Sequence, residues 1–186
     1  MEGPWLISYA VLWVLVLALA LLALSHSRLL GLLHQRLGPG IARAAADGPA
    51  LGTAIAEIQA TTLFGQPWSR RFPVGGESML VFVSPQCLAC NELIPHVKDF
   101  IARFGARAEV LLLSVMEDAA MNRAYADYAR LDGIPYLIAG RFASAMQIAG
   151  TPYALKLDSN GTVLAKGIVN NFEHLVSLWN MKAPPE

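Results

Sequence analysis

Ser84-Pro85-Gln86-Cys87-Leu88-Ala89-Cys90 holds both cysteines of the chain and follows directly on an apolar run, Met79-Leu80-Val81-Phe82-Val83. On the first turn of a helix, residues three apart have α-carbons roughly 5 Å from each other, inside the window a disulfide tolerates. Cys87 and Cys90 can therefore bridge without moving the backbone, and the bridge can open and close. A sulfur at a helix N-terminus also meets unpaired amide N–H groups and the positive end of the helix dipole, which stabilise thiolate over thiol. Cys87 is thus the expected nucleophile and Cys90, one turn inside, the resolving thiol. Two plainer uses of the pair fit less well. A zinc site needs about four ligands, and beside two thiols the chain offers only His26, His34, His96 and His174, scattered and without a second Cys-x-x-Cys. A static disulfide across two intervening residues closes so short a loop that it stabilises little. No metal and no cofactor is expected, and redox use remains.

Outward from the motif, the run 79–83 is continuously apolar, the mark of a strand covered on both faces. After it, Leu93, Ile94, Val97, Phe100, Ile101 and Phe104 form one helical stripe, with Glu92, Lys98, Asp99 and Arg103 off it. Residues 110–115 are a second buried run, so strand, helix and strand make a parallel βαβ unit. The cysteines fall at the carboxyl edge of its first strand, where open α/β sheets carry their sites. Asp118 can cap a helix with Met121, Tyr125, Tyr128 and Leu131 inward; residues 134–139 suit a short strand and 141–148 a short helix. Residues 153–157 and 162–166 alternate with period two around Asn160-Gly161, a type I′ hairpin signal. The last helix is expected from Asn170, with Glu173 three residues on, burying Phe172, Leu175, Val176 and Trp179. Short β-prone pieces in residues 58–73 around Gly65 suit a hairpin, and residues 181–186 a loose tail.

With 186 residues, 55% of them hydrophobic, the chain has room for one ordinary domain and an apolar remainder. That remainder is N-terminal. Residues 5–24 carry no charge and only Ser8 and Tyr9 as polar interruptions, long enough to cross a bilayer as one helix. A cleaved signal peptide would begin basic and end in a small-x-small site; the start here is Met1-Glu2-Gly3-Pro4, which favours an uncleaved, single-pass anchor. Residues 29–37 suit a helix at the membrane interface, Gly38-Pro39-Gly40 breaks it, and 41–52 read as a linker or a short helix through the alanines. The expected organisation is an anchor with its interfacial extension at 1–36, a linker at 37–52 and a folded domain at 53–186. Arg28, Arg36 and Arg43 all follow the span, and the positive-inside rule would put that side in the cytoplasm. A thiol pair on a membrane is more at home on the oxidising side. Equal basic and acidic counts, 14 each, argue against nucleic acid as a partner.

The order of elements, with Cys-x-x-Cys after a buried strand and a proline before the terminal hairpin, resembles the thioredoxin fold. The resemblance implies that Pro95 is the proline that bends the active-site helix. It also implies that Gly150-Thr151-Pro152 is the loop whose cis-proline faces the disulfide, with Thr151 offering its backbone to a bound client strand. More narrowly, the apolar N-terminus, Phe82-Val83-Ser84-Pro85-Gln86-Cys87-Leu88-Ala89-Cys90, Gly150-Thr151-Pro152-Tyr153-Ala154 and Ala165-Lys166-Gly167-Ile168-Val169-Asn170 are similar to the MauD family of methylamine-utilisation accessory proteins. That likeness implies an inner-membrane protein with its soluble domain in the periplasm. It would act in maturation of the disulfide-rich small subunit of methylamine dehydrogenase, beside a multispanning membrane partner of the MauE kind. In the family the dipeptide between the cysteines often begins with proline; here it is Leu88-Ala89. That dipeptide influences redox poise, so the direction of transfer stays open.

Other polar and aromatic residues have mostly structural readings. His96 lies nine positions past Cys87, about half a turn out of phase on a helix, and makes a poor base for that thiol. Thioredoxins usually hold a carboxylate behind the resolving cysteine; Glu57, Glu109 and Glu117 are candidates without a convincing position. Trp68 and Tyr136 could border the site or lie in the core. Three functions compete: an oxidoreductase that forms or isomerises disulfides in a periplasmic client, a reductant of the cytochrome c maturation type, and a non-catalytic assembly factor that docks through the cysteines.

Overall fold

The computed structural model describes residues 3, 5, 9–19, 21–22 and 47–181, and the chain divides into two units, Met1–Pro39 and Gly40–Glu186. In the first, the described residues are helical and exposed, with the rings of Tyr9 and Trp13 6.2 Å apart. Among the described residues no helix is long and apolar enough to cross a membrane. The rest of the stretch read as a span, residues 6–8, 20, 23 and 24, lies outside the described residues. So do the interfacial extension, the Gly38-Pro39-Gly40 break, residues 41–46 of the linker and the tail after Met181.

In the second unit the strands are β1 (Glu57–Thr61), β2 (Pro67–Arg71), β3 (Glu77–Val83), β4 (Ala108–Ser114), β5 (Tyr136–Ile138), β6 (Tyr153–Leu157) and β7 (Val163–Ile168). The helices are α1 (Leu88–Phe104), α2 (Ala119–Ala129), α3 (Gly140–Ala145) and α4 (Phe172–Asn180). The strands form one sheet in the order β2-β1-β5-β4-β3-β6-β7. Its centre is parallel, β3 on β4 and β4 on β5; the β1–β2 hairpin and the β6–β7 pair extend it antiparallel at the two edges.

The residues of β3 after its first are all buried, and alternate ones serve different cores. Met79, Val81 and Val83 face Leu93, Val97 and Phe100 of α1 and Leu175, Leu178 and Trp179 of α4. Leu80 and Phe82 face Leu111, Leu113, Phe142 and Leu155 on the other side. Each such side chain contributes about 2 kcal/mol by leaving water. The stripe read on α1 is the one it buries: Leu93, Ile94, Val97 and Phe100 fully, Ile101 and Phe104 in part. Pro95 lies inside this helix on its exposed side.

Four local expectations shift. On α2, Asp118 does cap, accepting from the Met121 amide at 2.9 Å, and Tyr125 and Leu131 are buried. Met121 and Tyr128, however, are exposed, the latter by 77%. The buried stripe is rotated toward Asn122, whose amide group bonds the Met116 and Asp118 carbonyls and accepts from the Tyr136 hydroxyl at 2.5 Å. The β6–β7 connection is not a type I′ turn, because Gly161 alone has positive φ, at 83°. The Asp158 carboxylate instead accepts from the amides of Asn160 and Thr162 and opens a longer loop, with a bulge at Lys156/Leu157. Helix α4 is capped by Asn171, which accepts from the His174 amide at 2.8 Å, and the side chain that reaches back to the preceding amide is His174 rather than Glu173. Leu178 joins its buried face, while Phe172 and Val176 are only partly covered. The short helix expected at 141–148 is α3, which starts and ends earlier.

Lys156 is buried in β6. Its ammonium donates to the carbonyls of Trp179 at 2.7 Å and Met181 at 3.2 Å, lies 3.1 Å from Glu77 Oε1, and sits 4.8 Å from the centre of the Trp179 ring. A cation there satisfies carbonyls that the C-terminus of α4 leaves open and complements its dipole. Lys156→Met, which keeps the stem and removes the charge, is expected to lower unfolding free energy by about 2 kcal/mol. Urea unfolding of the full chain measures this, and an unchanged midpoint would show that the charge is not needed to hold α4.

Candidate active site

At the carboxyl end of β3 the chain turns through Ser84-Pro85-Gln86, where the Ser84 carbonyl accepts from the Cys87 amide at 3.0 Å. Ser84 also receives the Gln86 amide on its hydroxyl at 3.4 Å; a Ser-Pro pair is a turn signal that could have marked it beforehand. Cys87 has extended backbone, φ −94° and ψ 112°, and is the N-cap of α1. Its Sγ takes the place a serine or aspartate oxygen usually fills, accepting the Cys90 amide at 3.1 Å. The two cysteines form a disulfide with α-carbons 5.2 Å apart. Cys87 is partly exposed and Cys90 is fully buried. Leu88 between them is 73% exposed, a bare apolar side chain beside the reactive sulfur.

The pairing of β3 with β6 brings the second half of the site. Phe82 stands opposite Tyr153, so the residues just before Tyr153 lie beside the turn that leaves β3. The Thr151-Pro152 peptide bond is cis, as the resemblance implied. The Thr151 carbonyl oxygen lies 3.5 Å from Cys87 Sγ, a distance at which a Cys87 thiol can donate to it once the bridge is open. Pro152 is buried and its carbonyl accepts from the Val169 amide. Thus Cys87, Cys90, Thr151 and Pro152 come together, while Pro95 sits further along α1.

The other candidates go elsewhere. Glu57 pairs with Arg71, and hydrogen bonds from Gln59 first and Arg71 second hold its carboxyl below the usual range. Glu109 forms a two-pronged ion pair with Arg70; it stands opposite Ser78, near the start of β3 and away from the cysteine end. Glu117 accepts from the Arg141 amide at 2.9 Å. Trp68 borders a cleft with Thr61, Phe142 and Met146 to which neither cysteine contributes. Tyr136 is a core residue bonded to Asn122, its hydroxyl pushed far up by burial. His96 lies on the body of α1, half-buried.

Chemically, the arrangement is that of a thiol–disulfide oxidoreductase. An open bridge leaves a sulfur at Cys87 that is accessible and bonded to an amide, the conditions that make thiolate and nucleophile. Cys90 is within bonding distance of it and shielded from other partners. The Thr151 backbone carbonyl faces the same sulfur.

No protein-family model matches the chain. The methylamine utilization protein MauD of Methylobacillus flagellatus is 34% identical over 180 residues, spanning 96% of this chain and 86% of its own length. That of Methylophilus methylotrophus is 33% identical over 180 residues, with 96% and 84% spanned. Among solved structures, the thioredoxin domain of a thiol-disulfide oxidoreductase from Bacteroides vulgatus superimposes with a TM-score of 0.59 at 14% identity, over 72% of this chain and 99% of that one. The fold of the second unit is therefore thioredoxin-like, and the chain belongs to the MauD family.

Proposed function

We propose that this protein is a membrane-anchored oxidoreductase that forms or isomerises disulfides in a periplasmic client, the small subunit of methylamine dehydrogenase. The observation that carries this reading is the Cys87 sulfur: partly exposed, bonded to the Cys90 amide and 3.5 Å from the Thr151 carbonyl. A client thiolate attacks Cys87 of the bridge, expelling the Cys90 thiolate and leaving a client–Cys87 mixed disulfide. A second client thiolate then attacks the client sulfur of that bond. The client leaves oxidised and the protein holds the dithiol, which a multispanning membrane partner of the MauE kind reoxidises. In isomerisation Cys87 attacks first and the same steps run within the client. Membership of a family named for methylamine utilisation supports the choice of client, and the uncharged residues 5–24 support an anchor that keeps client and partner within reach.

Cys90→Ser is expected to accumulate mixed disulfides with clients through Cys87, and Cys87→Ser to abolish exchange. Diagonal electrophoresis of trapped complexes distinguishes the two; trapping by Cys87→Ser instead would reverse the roles. No turnover of small thiols by the wild type would leave only a docking function.

A hydrogen bond donated by the Cys90 amide to the Cys87 sulfur favours the dithiol form and makes the bridge more oxidising. With Leu88-Ala89 between the cysteines, and no proline or histidine adding to that effect, the expected reduction potential is intermediate, well above that of thioredoxin. Equilibration with glutathione measures it. A value of about −270 mV or below, with a reduced resting state in cells, would favour the reductant reading.

The domain is expected in the periplasm. Reporters fused after Pro184 decide the topology, and activity of the cytoplasm-specific reporter alone would overturn that placement.

A further inference from the structure

Residues 47–53 lead into the domain, and Asp47 and Gly48 contact both ends of the loop that carries Thr151. The Asp47 carbonyl accepts from the Tyr153 hydroxyl at 2.7 Å and from Lys166 Nζ at 2.9 Å, and Lys166 also reaches the Gly48 carbonyl at 3.2 Å. The Gly48 amide donates to the Gln147 carbonyl at 3.0 Å. Further on, Gly52 donates to the Val163 carbonyl and Val163 to the Thr53 carbonyl, so the segment is stitched to β7 as well. Two consecutive residues thereby grip both ends of the stretch from Gln147 to Tyr153. At its crest Ala149 and Gly150 are exposed. Gln147 has a positive φ of 57°, a conformation that a side chain rarely adopts unless neighbours hold it.

The fit at Gly48 is close. Its φ is +82°, and a β-carbon there would come within 2.6 Å of the Tyr153 hydroxyl. The Tyr153 ring is buried; burial first, and the Asp47 carboxylate second, push its hydroxyl up to about 12, so it stays a donor at any physiological pH.

We propose that this segment braces the client-docking loop, with Tyr153 and Lys166 as positioning residues that hold the Thr151 backbone for an extended client strand. The inference rests on the oxidoreductase reading above for its client. It assigns a role at the site to side chains that touch neither sulfur.

The test compares the purified full-length wild type with Tyr153→Phe and, should that variant fold poorly, Lys166→Met, which alters an only half-buried position. Two substrates are used for reduction of the Cys87–Cys90 bridge: a cysteine-containing peptide dithiol, which must lie along Thr151, and dithiothreitol, which need not. The loss of one loop-holding hydrogen bond is expected to slow the peptide about fivefold and to leave the dithiothreitol rate within about twofold. Deuterium uptake at residues 147–151 is expected to rise. An equal fall with both substrates, or no change with the peptide, would overturn the brace. So would unchanged deuterium uptake in the loop. If neither dithiol reduces the wild-type Cys87–Cys90 bridge, the oxidoreductase reading fails by itself, and the deuterium readout still judges the brace.

Discussion

Burial of β3 on both faces is the constraint from which the site follows. A strand whose side chains leave water on both sides needs a layer above and a layer below. Here α1 and α4 supply one and α3 with its neighbours the other. It also needs hydrogen-bonded partners on both edges, β4 in parallel register and β6 antiparallel. A parallel neighbour requires a crossover helix, and that helix is α1, so its N-terminus, with Cys87 as the cap, falls at the carboxyl end of β3. An antiparallel neighbour starts where β3 ends, so the cis-proline before β6 falls at the same end. The two halves of the site meet because one strand pairs in opposite senses on its two sides.

The electrostatics around the sulfurs are set mainly by backbone. The Cys87 sulfur meets the Cys90 amide and the Thr151 carbonyl, both backbone groups, while Leu88-Ala89 between the cysteines adds no polar side chain. Glu57, Glu109 and Glu117 are occupied with Arg71, Arg70 and the start of α3. The difference between the two thiols is therefore one of place. The Cys87 sulfur caps a helix and is partly open to solvent, whereas that of Cys90 is enclosed by the core of α1 and β3. That one sulfur is open and the other enclosed follows from where the helix begins.

Most of this was legible in the sequence wherever local chemistry repeats. The apolar run 79–83, the α1 stripe and Cys-x-x-Cys after a strand each specify an element or a cap from its own residues. Thr151-Pro152 was not legible in that way, since nothing local favours a cis bond; only family resemblance marked it. Three of the four misreadings share a cause, which is competition between near-equivalent polar groups. Asn170 and Asn171 both could cap α4; Asn171 does, while the Asn170 amide bonds the His174 ring. Asn160-Gly161 has the residues of a tight turn, yet Asp158 two residues earlier offers two amides a carboxylate and wins. Tyr128 lost its place in the core to Asn122, because Tyr136 presents a buried hydroxyl that needs a partner.

What no periodicity could reveal is the use of long polar side chains to tie distant segments. Tyr153 and Lys156 lie in one five-residue strand that reads as buried throughout, and by strand alternation their side chains leave opposite faces only if their spacing is odd. They are three apart. One reaches back to Asp47, the other forward to the end of α4. Strand β6 thus fastens the segment that leads into the domain on one face and the helix that ends it on the other. That same strand begins at the cis-proline. The residues that fix the two ends of the folded unit are consequently within a few positions of the backbone facing Cys87. Contacts of the entering segment and of the last helix are therefore gathered on the strand that begins beside the site.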